Sequence, residues 1–484
     1  YTVKELLGKD NSEMVYASAN DVTDDGSMVV GSRENQPAIY LTTSQRWWIL
    51  NQLPDSCTGG IINAITPDGR FAVGKGTYPE NEYTENIAFW DLTHEEPELV
   101  QLPDIPLADM VGDTTYQRRL TDIAPDGNTV LGCVSYSYVQ PAGIYYFIYN
   151  RSTRKFQPIG FDVSKHNGKA VWTPRTNGLY YIETAQMSAN GAYITGEAYF
   201  TFPTEDPNIP RDERKGYVYD IMQDKFSVIE AQEEMPGFVV SDDGLVLGAT
   251  PSSNPYRDWG AYIGKYWYPI ELILNQRYGI NFSASTGFTN TGTPAGISGD
   301  GKNIIVFTGP QKEGYVLSLP ETLDEAAVNI DLLGNYNVTP KANSEFSALK
   351  TATFTFPYEI ELLGDRKNVS FTDGSGNSTG IVASLKAQGK ELTAVFRSAS
   401  LKPTVKYTLK IAANTIAIEG DTERKNKEIC VTYTGRANTP VKMAAVTPYE
   451  NTEVKQINYT TNPVIVTFDT QLSLNENATG YLYK

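Results

Sequence analysis

The stretch from residue 19 to 31, ANDVTDDGSMVVG, constrains this chain most, because variants of it recur five more times. They read NAITPDGRFAVG ending at Gly74, TDIAPDGNTVLG at Gly132, AQMSANGAYITG at Gly196, FVVSDDGLVLG at Gly248 and AGISGDGKNIIVFTG at Gly309. Each is a short apolar run, an Asp-Gly or Asn-Gly step and a second apolar run. Those dipeptides supply the positive φ angles of a tight hairpin turn, so every copy reads as two antiparallel strands. Six copies make a repeat, and a repeat specifies architecture before it specifies chemistry.

The turn glycines are Gly26, Gly69, Gly127, Gly191, Gly244 and Gly301, with spacings of 43, 58, 64, 53 and 57 that average 55. A third apolar run follows each hairpin: Ala38–Leu41, Ile87–Trp90, Ile144–Ile148, Gly216–Tyr219, Gly260–Ile263 and Gly314–Leu317. A fourth follows the first five, at Trp47–Leu50, Glu98–Leu102, Lys155–Ile159, Lys225–Ile229 and Tyr268–Leu272. Four short strands per unit at this period predict β-propeller blades. The sixth unit lacks a fourth run, since the chain turns polar from Pro320. The run Thr2-Val3-Lys4-Glu5-Leu6-Leu7 resembles the outer strand Tyr268-Pro269-Ile270-Glu271-Leu272-Ile273. The expectation is an all-β, six-bladed β-propeller over residues 1–333, closed by its N-terminal strand so that no open edge remains, with an open or five-plus-one arrangement as the alternative.

From Gly334 the rhythm changes. Alternating runs at Val338–Pro340, Ala352–Phe356, Asn368–Phe371, Lys390–Phe396, Tyr407–Ile411 and Glu428–Tyr433 predict an Ig-like β-sandwich over 334–438. Val446-Thr447-Pro448 then echoes Val338-Thr339-Pro340 at an offset of 108, and Val464–Phe468 echoes Ala352–Phe356 at 112. Residues 439–484 therefore read as the start of a second, incomplete unit, which half a core would not stabilise alone. A length of 484 residues fits two to four domains.

A net charge of −17 argues against nucleic-acid or anionic-membrane partners, and no apolar run approaches the roughly 20 residues of a spanning helix. The N-terminal Tyr and the lack of a signal peptide read as a processed, secreted chain. Three scattered cysteines, Cys57, Cys133 and Cys430, indicate no disulfide framework, and Cys133, which follows the second strand of a repeat, reads as a small buried hydrophobe. His94 and His166 read as loop residues rather than metal ligands.

The Asp-Gly turn, the Val-Val-Gly strand and the aromatic third strand resemble bacterial extracellular β-propellers of HAF-type repeats, over about two-thirds of the chain. The segment Ser400–Leu409, SLKPTVKYTL, resembles surface-layer-type bacterial Ig-like domains. The resemblance implies a bacterial protein outside the cell or on its surface, anchored to the outer membrane in one version, with Ig-like units as spacers. It specifies fold rather than activity.

In a blade, the 1–2 and 3–4 connections lie on one face and the 2–3 and 4–1 connections on the other. Here the first face carries bare turns, and the second carries the long segments 75–86, 134–143, 197–215 and 250–259, with 103–118, 160–181 and 275–293. Loops on a rigid scaffold are where binding residues concentrate. The candidates are Tyr83, Tyr136, Tyr138, Trp172, Tyr199, Tyr256, Arg257, Asp258 and Trp259, with Tyr78, Phe200 and Phe202 nearby. Tyr256 and Trp259, flanking Arg257 and Asp258, are the preferred pair. The same loops hold Glu80, Glu82, Glu85, Asp109, Asp113, Glu205 and Asp206. Aromatic faces stack on sugars or peptide groups while carboxylates fix orientation. Trp47, Trp48, Trp90 and Trp267 read instead as blade packing. There is no G-x-S-x-G, H-E-x-x-H, Walker loop or zinc-spaced Cys/His set. The expected role is non-enzymatic binding of a glycan or peptide, without cofactor save an isolated Ca²⁺ in the acidic loops. Two alternatives stand beside it: a carbohydrate-active hydrolase or lyase using hidden paired carboxylates, and a structural partner in an outer-membrane or surface assembly.

Overall fold

The computed structural model describes residues 17–79, 85–103, 105, 116–136, 144–166, 169–202, 211–229, 237–249, 259–264, 266–281, 293–308, 313–346, 348–379, 381–397, 401–436, 443–447 and 465–468. The chain divides into two compact units, Tyr1–Ile330 and Asp331–Lys484. Both are built of β-strands.

Unit one opens with an antiparallel meander of β1 (Ala17–Val22), β2 (Met28–Arg33), β3 (Gln36–Leu41) and β4 (Arg46–Ile49). The order repeats in β5 (Gly59–Ile65), β6 (Phe71–Thr77), β7 (Glu85–Asp91) and β8 (Glu98–Leu99). It repeats again in β9 (Tyr116–Ile123), β10 (Thr129–Tyr136), β11 (Ile144–Asn150) and β12 (Lys155–Pro158). One parallel pairing, Glu85 with Gln117, links these two meanders. A hairpin of β13 (Phe161–His166) and β14 (Lys169–Pro174) precedes the fourth sheet. That sheet contains β15 (Leu179–Ile182), β16 (Gln186–Met187), β17 (Tyr193–Phe202), β18 (Arg211–Asp220) and β19 (Lys225–Val228), with β15 and β16 sharing one edge of β17. The fifth holds β20 (Gly237–Val240), β21 (Val246–Ala249), β22 (Trp259–Ile263) and β23 (Tyr266–Pro269), followed by helix α1 (Ile270–Tyr278). The sixth has three strands, β24 (Thr293–Ile297), β25 (Asn303–Thr308) and β26 (Glu313–Ser318), before the short helix α2 (Leu323–Ala326). Each sheet's first strand packs on the sheet before it: β5 on β1–β3, β9 on β5–β7, β15 on β11, β20 on β16–β18 and β24 on β20 and β21. Successive up-and-down sheets packed in this way are propeller-type blades. Residues 2–7, expected to close the ring, lie outside the described residues.

The turns show why the motif works. Three residues before the turn glycine stands a hydroxyl: Thr23, Thr66, Ser188, Ser241 or Ser298, with Ala124 the exception. The hydroxyl donates to the turn carboxylate or amide, as Thr66 Oγ1 does to Asp68 Oδ1 at 2.8 Å and Ser188 Oγ to Asn190 Oδ1 at 2.9 Å. It accepts from the first amide of the returning strand, Phe71 N to Thr66 Oγ1 at 3.0 Å and Tyr193 N to Ser188 Oγ at 3.0 Å. Neighbouring turns are also tied: Asp24 N donates to Pro67 O at 3.0 Å, and Asn190 N to Asp242 Oδ1 at 2.7 Å. The Asp24-Asp25-Gly26 and Asp242-Asp243-Gly244 steps are turns in the structure, as their sequence suggests.

Sheets are stitched through a bulge in the first strand. Asn20 and Asn63 are the extra residues, and their side-chain amides donate to the next sheet at Ile62 O (2.7 Å) and Leu120 O (2.6 Å). Asp21 Oδ2 accepts from Ile65 N at 2.9 Å. Asp122 accepts from Ile123 N at 2.8 Å and from the Met187 amide of the fourth sheet. Burial of its carboxyl pushes Asp122 up to about 7 from the ordinary 3.8, and the nearby Asp21 carboxylate adds to the rise.

One expected strand is corrected. The run Tyr268–Leu272 is strand only as far as Pro269, and α1 begins at Ile270. Pro269 has the fixed φ of a helix entry, Gly279 caps the far end with φ 69°, and the buried Ile270, Ile273 and Leu274 recur at i, i+3 and i+4. Four of the six residues of the template for the closing-strand comparison, Ile270–Ile273, are therefore helical. A second correction concerns the segments 160–181 and 197–215. They are the β13–β14 hairpin and the extended β17–β18 hairpin, not loops, with 167–168 and 203–210 outside the described residues.

In unit two, the order of one four-stranded sheet is Asn337–Thr339, Thr351–Thr355, Glu391–Arg397 and Val382–Gln388. A second has Glu345–Phe346, Ile429–Gly435, Lys406–Ile411 and Val369–Asp373. Phe371 of the second sheet stacks on its neighbour Tyr407 at 5.3 Å and meets Phe396 of the first sheet at 5.1 Å, so the two sheets share one core. Alternation is clean: Leu392, Ala394 and Phe396 are buried in one strand, and Ile429, Val431 and Tyr433 in another. Further on, Val446 pairs with Val466, as Val338 pairs with Phe354. The two pairs differ by the offsets 108 and 112 read from the sequence.

Replacing the buried hydroxyl in Thr66→Val strands the Phe71 amide, and the expected loss is about 1–3 kcal/mol, read as a lower urea midpoint with unchanged m. Asp122 yields a pH prediction. A carboxyl raised in the native state stabilises while protonated, so the contribution is full below about pH 4. It is lost as the pH rises through about 7. Wild type should therefore gain more stability than Asp122→Asn between pH 8 and pH 5; equal gains would remove the carboxyl from the account.

Candidate functional site

Strand β17 sets the geometry. Ala198 and Phe200 on one face are buried in the core, while Glu197, Tyr199 and Thr201 on the other are only partly covered. Pairing places Tyr181 of β15, Tyr199 of β17 and Arg214 of β18 in a row across three strands. The Tyr181 and Tyr199 rings stack at 4.6 Å with 16° between planes, Tyr180 meets Tyr181 edge-on at 5.3 Å, and the Arg214 guanidinium lies over Tyr199 at 4.6 Å. Arg214 also pairs with Glu197 at 3.3 Å. Burial pushes the Glu197 carboxyl up, Arg214 draws it down and Glu183 adds to the rise. One Glu183 oxygen, Oε2, is enclosed with no hydrogen-bond partner. This row lies at the end of the sheet opposite the Asn190-Gly191 turn.

A buried polar strip continues into the third and second sheets. Tyr146 of β11 donates to Glu183 O at 3.3 Å and Tyr217 of β18 to Thr184 O at 3.0 Å. Arg119 of β9 donates through Nε to Cys133 Sγ at 3.2 Å. Lys75 of β6 is paired with Glu85 Oε1, and Glu85 Oε2 is a second enclosed oxygen without a partner. Burial pushes the Cys133 thiol up while Arg119 opposes it. Cys133 is thus buried, as its strand position suggests, and is also a hydrogen-bond acceptor in a charged neighbourhood. Among the described residues, no three His, Cys, Asp or Glu side chains are grouped to hold a metal ion.

Of the sequence candidates, Tyr199 belongs to the aromatic row. Trp259 does not: it opens β22 opposite Ala249 and is wholly buried, so the expectation of a ligand platform there is corrected. A strand position facing the core leaves no ring face for a ligand. The backbone of Tyr136 ends β10 opposite Tyr116, and that of Trp172 pairs with Val163 in the β13–β14 hairpin. Tyr83, Tyr138, Tyr256, Arg257 and Asp258 lie outside the described residues. Trp90 is buried and donates to Gln52 O at 2.8 Å, and Trp267 packs on Tyr262 at 4.9 Å, both in packing roles. His94 is an exposed residue 3.9 Å from Glu98, and His166 ends β13. Sequence reading named Glu85 but missed Lys75, Arg119, Tyr181, Glu183, Glu197 and Arg214. The available signal was charge inside strand runs, as in FAVGKGT and YQRRLTDI.

No family model matches the chain, and no curated protein matches it. Solved structures similar to it include a putative TolB from Agrobacterium tumefaciens, at 10% identity and TM-score 0.31 over 53% of this chain and 80% of that one. The Cps50 (Swd1) β-propeller domain of Myceliophteria thermophila has 9% identity and TM-score 0.30, over 63% and 99%. An oligogalacturonate lyase in complex with manganese has 13% and 0.30, over 63% and 89%. No helix among the described residues is long and apolar enough to cross a membrane.

The thiols provide a direct check on this environment. In the native protein, maleimide should label the exposed Cys430 readily and leave the buried Cys133 untouched until denaturant is added. Labelling of Cys133 at a comparable native rate would show that the strip is open to solvent.

Proposed function

We propose that this chain is a non-enzymatic, secreted or cell-surface glycan-binding protein whose binding surface is the Tyr181–Tyr199–Arg214 row. The observation that carries the reading is the partly covered stacked tyrosine pair, edged by Glu197 and Arg214, at the end of the sheets away from the tied turns. Tyrosine faces stack on sugar rings, and a carboxylate with a guanidinium supplies acceptors and donors for hydroxyl groups. In this reading the six sheets are six blades of one ring, and residues 2–7 add the missing fourth strand to the sixth. Residues 334–438 form an Ig-like spacer, and 439–484 begin another. The motif resemblance to surface proteins of bacteria supports the location.

A hydrolase or lyase reading has one observation in its favour, the Glu183 and Glu197 carboxylates beside the same ring pair, one of them raised by burial. Incubation of the whole chain with each bound glycan separates the two, since only an enzyme shortens it.

The test is a glycan array followed by calorimetry on the intact chain, the Tyr181→Ala/Tyr199→Ala variant and Met222→Ala, an exposed residue in the β18–β19 turn. The double variant should bind about tenfold or more weakly, a loss of about 1.4 kcal/mol, and Met222→Ala should bind as wild type. A hit that survives the double variant at full strength places the site elsewhere.

A further inference from the structure

Charges and partners do not balance along the tyrosine row. Tyr199 lies between Tyr181 of β15 and the Arg214 guanidinium of β18, so the protein itself takes both of its faces. The side left for a ligand is at Tyr181, on the outer strand β15. Two residues on from Tyr181 stands Glu183, whose charge acts on both Tyr181 and Glu197. Two carboxylates therefore share one guanidinium, and Arg214 is committed to Glu197 at 3.3 Å. Lys215, the next cation on β18, is held by Glu213 at 3.4 Å. No cation among the described residues pairs with the half-buried Glu183, and its Oε2 is enclosed with no hydrogen-bond partner. A carboxylate withdrawn from water in this way is costly until a donor reaches it. The rings continue on the same side. Tyr180 meets Tyr181 edge-on at 5.3 Å, and Tyr145 of β11 lies within electrostatic reach of Tyr180 and meets Phe161 at 5.4 Å. Tyr145, Tyr180 and Tyr181 are each half-buried, so a wall of rings beside Glu183 runs from the fourth sheet to the third.

We propose that the row selects glycans whose amino sugars carry a free, protonated amine, seated against Tyr181 and beside Glu183 where the protein leaves a carboxylate without a cation. This rests on the glycan-binding reading and names the class of sugar. An ammonium brings three donors and a full charge to the unpartnered carboxylate, and such charge-assisted bonds are about twice as strong as neutral ones. Its attraction to a tyrosine ring adds to this. The Arg214 guanidinium over Tyr199 is the same arrangement made with the protein's own cation. An N-acetylated sugar offers one neutral amide donor in place of the charge. A sugar carrying a carboxylate or sulfate meets Glu183 and Glu197 as like charges, which disfavours it.

The experiment is calorimetry on the intact chain at about 0.15 M salt, which screens the chain's distant negative charges. The probes are a chitosan oligosaccharide, the same oligosaccharide fully N-acetylated, and trilysine. The free-amine form should bind wild type roughly tenfold or more tightly than the acetylated form. Glu183→Gln should remove most of that preference. Glu95→Gln, the same loss of charge at an exposed residue of another sheet, should keep it. The wild-type comparison decides the matter by itself if Glu183→Gln does not fold, which circular dichroism shows. Equal binding of the two sugar forms, lost in Tyr181→Ala/Tyr199→Ala, overturns the amine preference and leaves the glycan-binding reading standing. Trilysine bound as tightly as the free-amine sugar, or a preference equally reduced by Glu95→Gln, also overturns it, because overall charge then accounts for the binding. Binding of neither form, by a chain that holds another glycan through the tyrosine pair, overturns the inference alone; binding of no glycan at all overturns the reading beneath it as well.

Discussion

Everything in the first unit depends on how one sheet grips the next. At the first three junctions the grip is polar and local: an extra residue in the first strand turns its side chain or its neighbour's across the gap. Asn20 and Asn63 reach carbonyls of the following sheet, and Asp21 and Asp122 accept its amides. The bulge needs a partner strand that can come close, which explains the glycine that ends each motif. A Cβ on Gly31 would sit 2.0 Å from Ser18 O, and one on Gly74 equally close to Ile61 O. Hydrophobic burial then fills the space between sheets, with Val30, Ile39, Ile62, Ile65 and Trp90 forming one such layer. The direction of the grip is the same at these three junctions.

That arrangement divides the labour between the two ends of the sheets. At one end, hydroxyl-braced turns bond to one another, and their geometry tolerates little change. At the other end, the chain extends into the β13–β14 and β17–β18 hairpins. The tyrosine row is a product of that extension: Tyr181 and Tyr199 meet because β17 runs ten residues and pairs with β15 beyond the point where β16 has ended.

The buried strip from Lys75 to Glu183 is costly to keep. Charged groups removed from water destabilise unless paired, and Glu85 and Glu183 each retain an oxygen without a partner. A core built for stability alone would have placed apolar residues there, as at Val73 and Phe89 in the same strands. Polar groups kept at that cost are commonest where a fold holds a site, and they lead directly to the tyrosine row.

By itself, the amino-acid sequence determined the turns and the order of the strands that follow them. Those features depend on residues close together in the chain: Gly69 must turn, and the apolar runs on either side of it must pair. It did not determine α1, since Ile270–Ile273 suits a strand by composition and only the Pro269 and Gly279 boundaries, with packing at Ile273 and Leu274, favour a helix. Nor did it separate Trp259 from a surface tryptophan, because burial depends on which face of β22 meets the core. The polar strip was beyond local reading altogether. Lys75, Arg119, Glu183 and Arg214 are separated by some 30 to 65 residues each, and only the stacking of one sheet on the next makes them neighbours.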